Sequence, residues 1–199
     1  MSRLLPFFAF VLLAALLGFG IWWNSAHDPT AVPSPLINKP APSFALPELD
    51  QPAQTVSKAS MLGKPYLINV FASWCFACGE EHPVLMAEAK NLGVPVIGYD
   101  YKDDANDAKA WLAQHGNPYD MVIADTSGHT AIDFGVYGAP ETFLIDGKGV
   151  IRYKRIGPLT PDVIAQQLKP AIDALQKEAP QASPSSIGGA GHGERAASP

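Results

Sequence analysis

The sequence predicts an α/β domain, a central mixed sheet flanked by helices, set behind an N-terminal transmembrane helix. Three observations lead there. Apolar runs at residues 66–72 and 94–99 bracket a helical segment running from Cys78 to about Asn91, and strand, helix and strand in that order form a right-handed unit with parallel strands. Two β-rich runs, 142–145 and 150–154, flank Asp146-Gly147-Lys148-Gly149, a strong hairpin signal. Residues 4–23 contain neither a charge nor an amide, and a stretch of that length spans a hydrocarbon core of ~30 Å.

The elements follow in order. Pro6 stands near the start of the apolar segment, where a helix tolerates it. Trp22 and Trp23 fall at its far boundary, where amphipathic rings favour the interface. Arg3 is the cation before the span, and none follows it until Lys39. The excess of positive charge on the inner side therefore places residues 1–3 in the cytoplasm and the rest outside. A cleaved signal peptide is the competing reading, but its apolar region is shorter and ends in a small-x-small site, and no clean Ala-x-Ala follows here. Residues 24–42 hold five prolines and read as an extended spacer.

The globular part, 43–178, opens with an edge strand near 44–49 that Thr55-Val56 can pair with, then a helical turn over 57–62. A helix beginning at Asp103-Asp104 carries Ala108, Trp111 and Leu112 on one face and ends before Gly116, a residue suited to the position after a helix. Residues 121–124 form a third strand, and 132–136 a short helix or turn. Thr160-Pro161 is an N-cap followed by proline at the first helical position. Ile164, Leu168, Ile172 and Leu175 then give the last helix its apolar stripe. Residues 179–199 are mostly Ala, Ser, Pro and Gly with little to bury, and are expected to be disordered.

The formal charge is −5 at pH 7 with a pI near 5.4, and no Lys/Arg run occurs, so nucleic-acid binding has no support. The chemistry centres on Trp74-Cys75-Phe76-Ala77-Cys78, which holds the two cysteines of the chain. A helix N-terminus favours a thiolate, the species that attacks disulfides. Cys75 reads as the exposed nucleophile and Cys78 as the resolving thiol. A zinc site needs about four ligands, and neither a further cysteine nor a paired histidine motif supplies them. A purely structural disulfide closing so short a loop removes little entropy from the unfolded chain. Two inert buried thiols remain the plainer alternative. No metal or cofactor is expected.

Taken together, residues 43–178 resemble the thioredoxin fold. The match is closer to the thiol:disulfide interchange proteins of cytochrome c maturation (the DsbE/CcmG group). It rests on 74–78, Glu81-His82-Pro83, Tyr101-Lys102-Asp103-Asp104, Gly116-Asn117-Pro118-Tyr119 and the long stretch 135–147. The resemblance implies a periplasmic, inner-membrane-anchored protein-disulfide reductase. Its partners would be apocytochrome c or a cytochrome c maturation thiol protein, with a transmembrane electron donor of the DsbD/CcdA kind. A general periplasmic thiol reductase or oxidant, and a non-catalytic module holding apocytochrome or haem-lyase components, are the alternatives.

The resemblance also implies site residues. Pro140 is expected to be cis in the loop facing the cysteines, leaving the backbone of Ala139 free to pair with an extended substrate; an ordinary trans turn is the competing reading. Glu81, Glu141 and Tyr137 are expected to form an acidic rim, where a carboxylate raises a thiol pKa, relays protons to Cys78 or attracts a basic partner. Against this, Glu81 suits the first turns of any helix, and Tyr137 serves equally as packing. Trp74 is expected to shield the sulfur pair, with core packing as its alternative. Asn69 stands where thioredoxin carries a buried carboxylate, which leaves Glu81 as the candidate for proton transfer. Asp103 and Asp104 read as a helix cap, and Phe76-Ala77 as the pair that tunes the reduction potential.

Overall fold

The computed structural model describes residues 5–26 and 34–178. The expected residues 1–3 and the tail 179–199 lie outside the described residues, as do residues 27–33 of the spacer. Helix α1, Leu5–Ala26, is 22 residues of almost pure hydrocarbon, about 33 Å at ~1.5 Å per residue. Its side chains from Leu5 to Trp22 are all exposed, and Leu5–Trp22 is long and apolar enough to cross a membrane.

A five-stranded mixed sheet organises the rest, in the order β5-β4-β3-β6-β7. Strands β3 (Tyr66–Phe71), β4 (Val96–Tyr101) and β5 (Met121–Asp125) are parallel, while β6 (Glu141–Ile145) and β7 (Ile151–Ile156) run antiparallel. Every residue of β3, β4 and β6 is buried, the expected state of strands covered on both faces. Alternation sorts their side chains. Leu67, Asn69 and Phe71 face the layer of α2 (Phe76–Glu88) and α3 (Ala105–His115), and Ile68 and Val70 face the opposite core with Phe134 and Phe143. The hairpin turn is built by Asp146, whose Oδ1 accepts from Lys148 N and Val150 N at 2.9 Å each. Gly149 sits at φ +78°, a left-handed conformation open to glycine.

The structure refines several expectations. Helix α2 begins at Phe76 rather than Cys78, with Cys75 as its N-cap, and ends at Glu88 before a 3₁₀ turn, Ala89–Asn91. The edge strands β1 (Ala45–Pro47) and β2 (Thr55–Ser57) form a separate two-stranded sheet, tied to β5 through Leu49 N donating to Val122 O. The helical turn is a 3₁₀ segment, Lys58–Met61, capped by Ser57. The short helix α4 occupies His129–Asp133, ahead of its expected position. The last helix starts as α5, Pro161–Val163, passes through a π-helical turn, Ile164–Leu168, and continues as α6, Lys169–Glu178.

The spacer boundary at 42 is also corrected. Asn38 N donates to Ile151 O and Ala41 N to Gly149 O, Pro40 bridges Val150, and Leu36 and Ile37 pack on the core. The prolines there do not prevent packing because their neighbours supply the N–H groups that the open edge of β7 needs.

Candidate active site

Cys75 and Cys78 are joined as a disulfide at the start of α2. Cys75 caps the helix: its Sγ accepts from Cys78 N at 3.1 Å. The same sulfur lies 3.3 Å from the Ala139 carbonyl oxygen, and the Ala139-Pro140 peptide is cis. Neither cysteine is openly exposed, at 6 % for Cys75 and 4 % for Cys78. The expected contrast between an exposed and an inner sulfur is therefore small in the disulfide state. Trp74 and Phe76, the chain neighbours of Cys75, are 56 and 82 % exposed, and Tyr137, two residues before Ala139, is 80 % exposed.

The loop entering the cysteines is held by the turn after β4. Ser73 N donates to Asp103 Oδ2 at 2.5 Å and Ser73 Oγ to Asp103 Oδ1 at 2.8 Å. Trp74 Nε1 donates to Lys102 O at 3.0 Å. So Trp74 braces the loop while its ring stays largely in solvent. Asp104 alone is the cap of α3, accepting from Asn106 N. Asp103 instead supports the site.

Glu81 is 2 % exposed and lies one helical turn beyond Cys78. Its Oε1 accepts from Asn69 Nδ2 at 2.7 Å. Asn69 Nδ2 also donates to Thr142 Oγ1 at 3.1 Å, and Asn69 Oδ1 accepts from Tyr119 OH at 2.8 Å. Desolvation pushes the Glu81 pKa up to about 8, against the opposing pull of the Asn69 hydrogen bond. Tyr119 reaches this network by lying over Gly98, where a Cβ would meet its ring at 2.7 Å, and by stacking on Phe71 with centroids 5.0 Å apart. Its phenol is driven well above 10 by burial and by the charges of Glu81 and Asp100.

The expected acidic rim does not exist. Glu81 and Glu141 are both buried and lie on opposite faces of the sheet. Glu141 pairs in register with Val70, on the face away from α2. Its Oε1 accepts from Tyr137 N at 2.6 Å and Gly138 N at 3.3 Å, and Lys154 Nζ lies 3.1 Å from Oε2. Tyr137 contributes an exposed ring rather than core packing. His82, quoted for the resemblance, is buried edge-on against Trp111 with Nε2 3.0 Å from Gly116 O. No cluster of three or more potential metal ligands occurs among the described residues.

Three participants were not singled out in the sequence: Tyr119, Asp100 and Lys154. Asp100 is fully buried on β4, and burial first, then the charge of Asp103 and a side-chain hydrogen bond with it, raise its pKa to about 8. The pairing parity of β3 and β4 was the available signal for Asp100, and the hairpin register for Lys154, which stands opposite Phe143 on the same face as Glu141.

A dithiol across the first turn of a helix, a cis-proline loop against it and a five-stranded mixed sheet define a thiol:disulfide oxidoreductase of the thioredoxin-like class. The Redoxin family model matches residues 36–169. A solved structure from Chlorobium tepidum described as a thiol:disulfide interchange protein DsbE superposes with a TM-score of 0.58 at 29 % identity, covering 68 % of this chain and 97 % of its own. The thiol:disulfide interchange protein DsbE of Allochromatium vinosum is 44 % identical over 87 % of this chain and 93 % of its own length. That of Escherichia coli K12 is 45 % identical over 89 % and 97 %. The chain belongs to the thiol:disulfide interchange protein DsbE family.

Proposed function

We propose that the protein is a reductant for cytochrome c biogenesis, held at the inner membrane by the segment 4–23, with residues 1–3 in the cytoplasm and the thioredoxin-like domain in the periplasm. The observation that carries the chemistry is Cys75 Sγ at the N-cap of α2, receiving the Cys78 amide. The same N–H and the helix dipole stabilise a Cys75 thiolate once the disulfide is reduced.

The Cys75 thiolate attacks one sulfur of the partner's disulfide, forms the mixed disulfide and expels the other partner sulfur as a thiolate, which takes up a proton. Cys78 then loses its proton and attacks Cys75 Sγ. The Cys75–Cys78 disulfide forms, and the second partner sulfur leaves. Two electrons pass to the partner, apocytochrome c or a maturation thiol protein, and a membrane dithiol donor of the DsbD/CcdA kind restores them. Glu81 takes the Cys78 proton. A carboxylate near 8 is a far better acceptor for a thiol proton than an ordinary carboxylate, so the transfer is less uphill. Trp74, Tyr137 and the Ala139 backbone meet the partner chain, and Pro140 and Glu141 shape the loop that presents Ala139.

The redox state of Cys75 and Cys78 in cells, trapped by acid quench and thiol alkylation, tests the direction of flow. Mostly reduced thiols in an oxidising compartment are expected, because a dedicated donor then maintains them. Mostly oxidised thiols would identify an oxidant and remove the cytochrome c assignment.

A further inference from the structure

The loop carrying Ala139 is anchored from the far side of the sheet by a single buried cation. Lys154 on β7 has a side chain only 2 % exposed. Its Nζ donates to Gly135 O at 2.6 Å and lies 3.1 Å from Glu141 Oε2. It stands 5.0 Å from the Phe143 ring centroid and 5.1 Å from that of Tyr137, within cation–π range. Glu141 in turn accepts from the backbone N–H groups of Tyr137 and Gly138 through its other oxygen. The contacts of this ion pair thus converge on backbone groups of one loop, residues 135–138, and on the exposed ring of Tyr137, two residues before the Ala139 carbonyl that meets Cys75. A buried ion pair is by itself a weak stabiliser compared with apolar residues of similar volume, so stability alone does not account for a lysine here.

We propose that Lys154 is a positioning residue for partner docking. It fixes the height of the Gly135–Gly138 backbone and the orientation of the Tyr137 ring, and so sets where the Ala139 backbone meets an extended segment of the partner. This rests on the reading that the Ala139 backbone docks the partner. Cys75 and Cys78 sit on the other side of the contact and owe nothing to Lys154, so its effect falls on binding and not on sulfur chemistry.

The test is single-turnover reduction of a synthetic peptide with one Cys-x-x-Cys disulfide by the reduced full-length protein in detergent, followed by tryptophan fluorescence over a range of peptide concentrations. K154M is expected to raise the half-saturating peptide concentration about tenfold while the limiting rate stays within about twofold, and K154R to recover most of the difference. Unchanged half-saturation in folded K154M overturns the proposal. Equal losses in limiting rate and half-saturation also overturn it, since that pattern describes general loosening. If K154M fails to fold, the charge-free double variant K154M/E141Q carries the same test with the same two outcomes. The docking reading is separated by trapping the peptide on C78S and measuring hydrogen exchange at the Ala139 amide. An unprotected amide removes that reading itself; a protected amide with normal K154M kinetics removes only the role of Lys154.

Discussion

At the scale of single residues, the position of Glu81 decides what the dithiol can do. A carboxylate in water is ionised at neutral pH and too weak a base to take a thiol proton; burial beneath α2 changes that by penalising the charge. Glu81→Gln keeps the shape and the Asn69 contact but cannot exchange a proton. Attack of Cys78 on a mixed disulfide should then slow by about 10², and the limb of its pH–rate profile near pH 8 should disappear. Stopped-flow resolution of a preformed mixed disulfide measures both, and an unaltered profile in E81Q would remove Glu81 from the proton path. The family resemblance carried by Glu81-His82-Pro83 made this residue legible in the sequence. Its partner in the expected rim was misjudged for a reason that is also physical. Glu141 follows Pro140 directly, in the loop expected to face the cysteines, but the first residue of β6 points to the face opposite Thr142, and only Thr142 reaches the Asn69 network.

Between elements, the network depends on how closely β4 and the 116–120 loop approach. Gly98 is the reason the Tyr119 ring can lie flat on the sheet. The hydroxyl then donates to Asn69 Oδ1, which fixes the amide so that its N–H groups face Glu81 and Thr142. Tyr119→Phe leaves that oxygen buried without its donor, at a cost of about 1–3 kcal/mol, and frees the amide to turn. Loss of the Asn69 hydrogen bond removes an influence that lowers the Glu81 pKa, so the Glu81 titration should move upward in Y119F. Carboxyl chemical shifts followed against pH check this, and a downward or absent shift would show that Tyr119 does not orient the amide. The hairpin and the caps at Asp104 and Thr160 were legible because each has a local signal in turn or capping residues. The π-helical turn at Ile164–Leu168 was not, since the apolar spacing of three and four continues through it unchanged. Packing of residues 36–41 was hidden by composition, because proline content describes a chain alone and not one lying along a sheet edge that lacks partners.

For the whole molecule, two buried carboxylates on the same side of the sheet set how stability responds to pH. Glu81 and Asp100 each have a folded pKa of about 8, against ordinary values of 4.5 and 3.8. Between those limits the folded state holds protons that the unfolded chain has released. Stability from these groups is thus fully present below about pH 4 and is lost as pH rises toward 8. The limiting slope is about 1.4 kcal/mol per pH unit for each carboxylate. Thermal unfolding of the oxidised protein should therefore show a midpoint that falls from pH 5 to pH 8. Glu81→Gln and Asp100→Asn should each flatten that decline, and the double variant should remove most of it while becoming the more stable protein at pH 8. If the decline survives in the double variant, the ionisations responsible lie elsewhere, and neither carboxylate is held neutral by the fold. If only D100N flattens it, Glu81 is already charged at neutral pH and is too weak a base for the Cys78 proton. The stability curve thus tests, without any substrate, the same property of Glu81 on which the proposed proton transfer depends.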